Sequence, residues 1–267
     1  AGEAGGILDT ILQRLATYIE KSVKLKSQVK SAMVYPVSVV TIAVIVVYVI
    51  LWKVIPVFAA LFEGLGGQLP FLTQIVVNMS NFIGNFWWLI FMIVGGGIFA
   101  LRQYYQTDAG RYQIDKIILK TPVLGLLLRK IAVARFCRTL GTLLSSGVAI
   151  LESLEITART AGNAVIEEAL MQVRKEVEEG KTIAEPLTRS EQFPPMVCQM
   201  IGVGEQTGAM DTMLSKIADF YEDEVDAAVE GMMALIEPVI IAFLGVVIGT
   251  IVVAMYLPMF SLISQIG

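Results

Sequence analysis

Residues Val239–Leu257 read VIIAFLGVVIGTIVVAMYL, nineteen positions without one charge, held between Pro238 and Pro258. At about 1.5 Å per helical residue such a run covers about 30 Å, the thickness of a hydrocarbon core. Two further runs have the same character, Met33–Trp52 and Phe82–Leu101, and neither contains Asp, Glu, Lys or Arg. Three such runs in one chain argue against buried core helices of a soluble protein and for three membrane spans.

The whole composition agrees. Hydrophobic residues make up 55% of the 267 positions and charged residues 16%, with a mean hydropathy of +0.70; a soluble domain carries about 25% charged residues. Histidine is absent, which removes Ser-His-Asp and Cys-His catalysis and histidine metal sites from this chain. Cys137 and Cys198 stand alone and read as small apolar core residues. A net charge of -4 carries no argument for nucleic acid, which is not expected as a partner.

Basic residues orient the spans. Five precede the first run (Arg14, Lys21, Lys24, Lys26, Lys30) and fourteen lie between the second and third, so 19 of the 20 fall on one side, Lys53 being the exception. The positive-inside rule makes that side the cytoplasm, with the N-terminus inside and the C-terminus in the periplasm.

The chain also repeats itself. A shift of 202 residues lays Gly2-Glu3, Gly6, Asp9-Thr10, Leu12, Ala16, Glu20, Val23, Pro36, Pro56 and Phe58 on identical residues from Gly204 to Phe260. Fifteen of 60 pairs from Gly2 to Leu61 are identical, where so apolar a composition yields roughly five by chance. Each copy reads as a helix that leaves a bundle and enters the membrane, kinked or started by one proline and ended by the next. The second copy follows a cytoplasmic segment, 102–203, and the repeat predicts a counterpart of similar size upstream of Ala1.

That cytoplasmic segment reads as helices near 110–120, 131–145, 149–160, 164–179, 183–190, 195–202 and 210–233. Ser146-Gly147 and Ala161-Gly162-Asn163 mark turns, Asn163 is a candidate cap, and Phe193-Pro194-Pro195 breaks the chain before a new helix. Gly180-Lys181-Thr182 resembles the end of a phosphate loop, but Lys175 stands where the pattern needs glycine, so a helix cap is expected. Acids gather at Asp219, Glu222, Asp223, Glu224, Asp226 and Glu230, while Arg102–Arg138 holds 8 basic residues against 2 acidic. These are solvated faces or a polarised surface for a charged partner, and a cation among the acids is left open. Gly245 and Gly249 form a GxxxG pair suited to helix packing in the membrane.

Arg135-Phe136-Cys137-Arg138-Thr139-Leu140-Gly141, Ser146-Gly147-Val148, Leu151-Glu152, Phe193-Pro194-Pro195-Met196-Val197 and Val203-Gly204-Glu205-Gln206-Thr207-Gly208 resemble the GspF/PilC family. Those proteins are inner-membrane platforms of type IV pili and type II secretion systems. Phe220-Tyr221-Glu222-Asp223-Glu224-Val225-Asp226 and Gly67-Gln68-Leu69-Pro70 look closer to the pilus branch. The resemblance implies a non-enzymatic role without cofactors. The expected partners are a cytoplasmic assembly or retraction ATPase, pilin subunits, other inner-membrane pilus components, the lipid bilayer and further copies of the chain.

The expected fold class is therefore all-α: a polytopic membrane protein with three transmembrane helices and a helical-bundle cytoplasmic domain. Its parts are a cytoplasmic helix over 1–32, transmembrane helix 33–54, periplasmic loop 55–81, transmembrane helix 82–101, cytoplasmic bundle 102–235, transmembrane helix 236–258 and periplasmic tail 259–267. Candidate partner or subunit contacts are Arg135, Arg138, Glu152, Glu205, Glu222 and Glu224. A channel or transporter would need charged groups within the spans, and an intramembrane protease would need embedded acids or a Ser-His pair; none is present.

Overall fold

In a computed structural model of the chain, the described residues are 31, 34, 35, 37–64 and 69–266. The helix expected over 1–32, together with Pro36, Gly67 and Gln68, lies outside them, apart from Ser31. Every regular element among the described residues is helical. They are α1 (Val37–Phe62, continuing to Gly64), α2 (Phe71–Tyr105), α3 (Asp108–Lys120), α4 (Leu124–Ser145), α5 (Ile150–Thr160), α6 (Ala164–Glu178), α7 (Ala184–Arg189), α8 (Pro195–Thr207) and α9 (Met210–Ile266). They divide into two compact units, one holding Tyr104–Met232 and the other Ser31–Gln103 with Met233–Gly267.

The first unit is the expected helical bundle. Phe136, Leu140, Leu154, Ile166, Leu170, Leu187, Val197, Ile201, Leu214 and Ile217 are fully buried at its centre. In α9 the buried set Leu214, Ile217, Ala218, Tyr221, Val225 and Val229 recurs every three or four residues, as one helix face must. The helix ends follow the local chemistry of the sequence. Gly147 and Gly180 adopt left-handed φ values of 80° and 91°, and each closes a paired C-terminal motif. The bonds at Gly180 run from Lys181 N to Glu176 O and from Gly180 N to Val177 O. Asn163 accepts from the Val165 and Ile166 amides at the start of α6.

Two boundaries differ from expectation. Helix α4 begins at Leu124 rather than near Ile131, because Gly125 passes so close to the Leu119 carbonyl that only glycine fits, which lets the chain turn directly out of α3. Helix α8 runs on to Thr207, past Gly202, and stops at Gly208 with φ 71°.

The second unit contains the apolar helices. Among the described residues, two helices are long and apolar enough to cross a membrane, Val37–Phe62 and Met210–Phe260; a third crossing is available if the bent pair Phe71–Leu89 and Phe91–Tyr105, inclined by 51°, acts as one. The run expected over 82–101 is thus part of a longer, bent helix, with Phe86 off helical geometry. Much of 55–81 is helical as well, since Ile55–Gly64 continues α1 and α2 starts at Phe71. Neither Pro56 nor Pro258 ends its helix: α1 passes Pro56 to Gly64 and α9 passes Pro258 to Ile266. Leu51, Ile55, Val76, Ile251 and Ala254 form the packed centre of this unit.

The prolines are accommodated in the same way. Proline offers no N–H, so a carbonyl one turn earlier loses its helical donor. Residues Ile50–Val54 form a π-turn in which Ile55 N bonds Ile50 O. The Leu51 carbonyl would then face Pro56, which has nothing to donate, and the Ser80 hydroxyl donates to it instead. At the second proline, Ala254 O is the carbonyl that position 258 would have served, and the Thr73 hydroxyl donates to it at 2.6 Å. Ser80 and Thr73 are seven residues apart on one face of α2.

Candidate functional site

The charged side chains of the bundle form its candidate interaction surface, and most of them are organised internally. Arg138, only 14% exposed in its side chain, leaves α4 toward α9. Its Nε donates to Glu222 at 2.8 Å and its Nη2 to Asp219 at 2.5 Å. Burial works against its charge, but the hydrogen bonds to Glu222 and Asp219 outweigh that and hold the guanidinium above its ordinary pKa. Eight residues earlier on α4, Lys130 donates to Glu224 at 2.6 Å. Two of the basic residues of Arg102–Arg138 thus meet three acids of α9 along one seam.

Glu205 on α8 serves a different helix end. Its carboxylate accepts from the Ile183 amide at 2.6 Å and from the Ala184 amide at 3.2 Å, capping α7. Arg135 and Glu152 are exposed. The Arg135 guanidinium lies beside Gly162 in the α5–α6 turn. Glu152 stands in the first turn of α5. Of the six expected contact residues, the structure thus brings Arg138 and Glu222 together, places Glu224 and Glu205 in other internal pairings, and leaves Arg135 and Glu152 at the surface.

The acidic run of α9 does not converge. Asp219 and Glu222 go to Arg138, Glu224 goes to Lys130, and Asp223 and Glu230 are exposed. Among the described residues no group of three or more His, Cys, Asp or Glu side chains is placed to hold a metal ion. Cys137 and Cys198 are buried free thiols, and burial pushes both above the ordinary thiol range.

Two further acids were not singled out by sequence reasoning. Asp115 is 5% exposed; it accepts from the Ala164 amide at 2.7 Å, at the start of α6, and from the Tyr105 hydroxyl at 3.1 Å. Burial and then the Asp115 carboxylate raise the Tyr105 pKa. Glu176, 7% exposed, binds Lys181, Arg189 and Gln172 and ties α6 to α7. Hydrogen bonds from Lys181 and Gln172 hold its carboxyl below the usual glutamate range. A lone acid on the apolar face of an amphipathic helix was the available signal in both cases. The expected packing pair, Gly245 and Gly249, is exposed, and no other described residue comes within 4 Å of where a side chain on either would stand. Among the described residues they bring no two helices close.

The sequence profile of the family described as "Type II secretion system (T2SS), protein F" matches residues 1–56 and 136–258. The two matched segments end at Pro56 and Pro258, the pair superposed by the 202-residue shift. All of the chain aligns at 53% identity with 64% of the type IV pilus assembly protein PilC of Myxococcus xanthus. It aligns over its full length at 47% identity with 66% of the protein of that name from Thermus thermophilus. It is also 35% identical, over its full length, to 66% of the type II secretion system protein F of Xanthomonas campestris. The chain spans about two thirds of the length of these curated relatives.

Proposed function

The chain belongs to the type II secretion system protein F family, and from that premise we propose that it acts as an inner-membrane platform of a type IV pilus machine. In this reading it couples a cytoplasmic ATPase to the insertion or removal of pilin subunits. It hydrolyses nothing itself. The pilus assignment rests on the higher identities to proteins named for pilus assembly, 53% and 47%, against 35% for the secretion protein. Assembly of a type II secretion pseudopilus is the second reading, favoured by the family description itself.

One observation carries the mechanism. Helix α9 is a single 57-residue element whose Leu214–Val229 stretch packs the core of the bundle, and whose later Ile251 and Ala254 pack the core of the apolar unit. Force applied to the bundle has a continuous covalent route into the membrane. The Arg138 and Lys130 pairings hold α4 against that helix, so displacement of α4 loads α9. Arg135 and Glu152, exposed on α4 and α5, are the contacts offered to a partner. Gly245 and Gly249 face outward and suit a helix of another copy. A conventional helix cap at Gly180 explains Gly180-Lys181-Thr182 without a nucleotide.

The topology follows from the charge asymmetry: three crossings with the bundle in the cytoplasm and the C-terminus in the periplasm. Reporter fusions at the C-terminus test it; a cytoplasmic signal would require two crossings. Deletion of the gene should abolish surface pili, and the wild-type gene should restore them. Arg135→Glu and Glu152→Arg should leave the protein inserted at normal abundance and reduce piliation together with ATPase co-purification. Intact pili with loss of secreted proteins would favour the secretion reading.

A further inference from the structure

The corner where α3 turns into α4 has a surface that the bundle does not use. Ile117 and Leu126 are 64% and 62% exposed, and Val123 and Leu124 are exposed beside them. The packing of Gly125 against Leu119 brings the last turn of α3 and the first of α4 together, so these apolar side chains share one corner. Lys116 and Lys120 lie on the exposed side of α3 next to Ile117. Leu126 and Arg129 are one turn apart on α4. No carboxylate occurs between Asp115 and Glu152. Among the described residues no acid pairs with Lys116, Lys120 or Arg129, and the buried Nε of Arg129 finds no acceptor. Lys130, by contrast, is committed to Glu224.

Exposed leucine, isoleucine and valine interleaved with cations that meet no acid is the pattern of a surface that rests on anionic lipid. Connectivity supports the same occupant: only thirteen residues separate Arg102, in the last turn of α2, from Lys116. We propose that the α3–α4 corner docks onto anionic phospholipid headgroups, with Ile117, Val123, Leu124 and Leu126 entering the interface and Lys116, Lys120 and Arg129 binding phosphates. This rests on the reading that the apolar unit spans a bilayer, but not on any pilus component.

The test uses the full chain in lipid nanodiscs, which present the same headgroups on both faces, so the side occupied by the bundle does not affect it. A nitroxide is attached at Leu126→Cys or, as a second position, Ile117→Cys, with Lys175→Cys on the exposed side of α6 as reference; the native cysteines are buried. Three cations near an anionic surface bias partitioning by about a hundredfold. Accessibility of the corner labels to a water-soluble nickel reagent should therefore fall sharply when phosphatidylcholine is replaced by phosphatidylglycerol, while the Lys175→Cys label stays aqueous. Combining Lys116→Gln, Lys120→Gln and Arg129→Gln should abolish the difference. Equal accessibility in both lipids overturns the proposal and leaves the corner to a protein partner. A lipid response that survives the triple substitution also overturns it. Loss or retention of piliation leaves this readout unchanged, so the two proposals fail separately.

Discussion

Thr73 donates a 2.6 Å hydrogen bond to the carbonyl of Ala254, the group left without a helical donor by Pro258. Ser80 does the same for Leu51, opposite Pro56. The two prolines are equivalent under the internal repeat, and one face of α2 answers both. In an apolar surrounding an orphaned carbonyl has no water to turn to.

Thr73→Val should destabilise the protein by about 1–2 kcal/mol, read as thermal unfolding in detergent. In a Pro258→Ala background the helix regains its own donor, and the same substitution should cost less than half as much. Equal losses in both backgrounds would show that the hydroxyl does not serve the proline's orphan.

Arg138→Ala should lower stability by roughly 1–3 kcal/mol, because the cation bridging α4 to Asp219 and Glu222 is lost. Arg138→Lys should recover only part of it, since a single ammonium cannot reproduce the two-pronged donation from Nε and Nη2. Full recovery by lysine would mean that charge alone matters at this seam.

Glu205→Ala removes the acceptor for the Ile183 and Ala184 amides. A cap of this kind is worth about 1 kcal/mol. Faster hydrogen exchange should be confined to residues 183–184 and the first turn of α7, with the α4 amides unchanged. A uniform rise across the bundle would point to global rather than local loosening.

The Glu176 carboxyl is held below the ordinary glutamate value near 4.5 by Lys181 and Gln172. The unfolded chain therefore takes up this proton more readily than the folded one. Stability from this group is complete above the ordinary value and is lost as pH falls through the lower, folded one. Between about pH 5 and 3 the wild type should lose more thermal stability than Glu176→Gln. Parallel pH profiles for the two proteins would remove Glu176 from the acid response.

Length and periodicity made the helical class and the apolar runs legible without coordinates: an uncharged stretch of some twenty residues satisfies its own backbone only as a helix. The ends marked by Gly147, Asn163 and Gly180 were equally readable, since a left-handed glycine or a capping amide acts within its own turn. The prolines misled for the same reason. Taken locally, Pro56 and Pro258 end helices; they do not here, because hydroxyls from a third segment supply the missing bonds. The start of α4 was missed because the seven residues Leu124–Lys130 carry no capping signal and owe their helix to contact with α3.

Taken alone, the amino-acid order determined an all-helical membrane chain with an internal repeat and its family membership, for those depend on composition, spacing and register along one strand of residues. Only the tertiary structure decided which acid meets which base, that Glu205 caps α7, that Asp115 and Glu176 are buried, and that Thr73 and Ser80 relieve two prolines. Those choices join positions as far as 181 residues apart. Charges and hydroxyls look alike on any helix surface until packing brings one acceptor within reach and removes the water that would otherwise serve it.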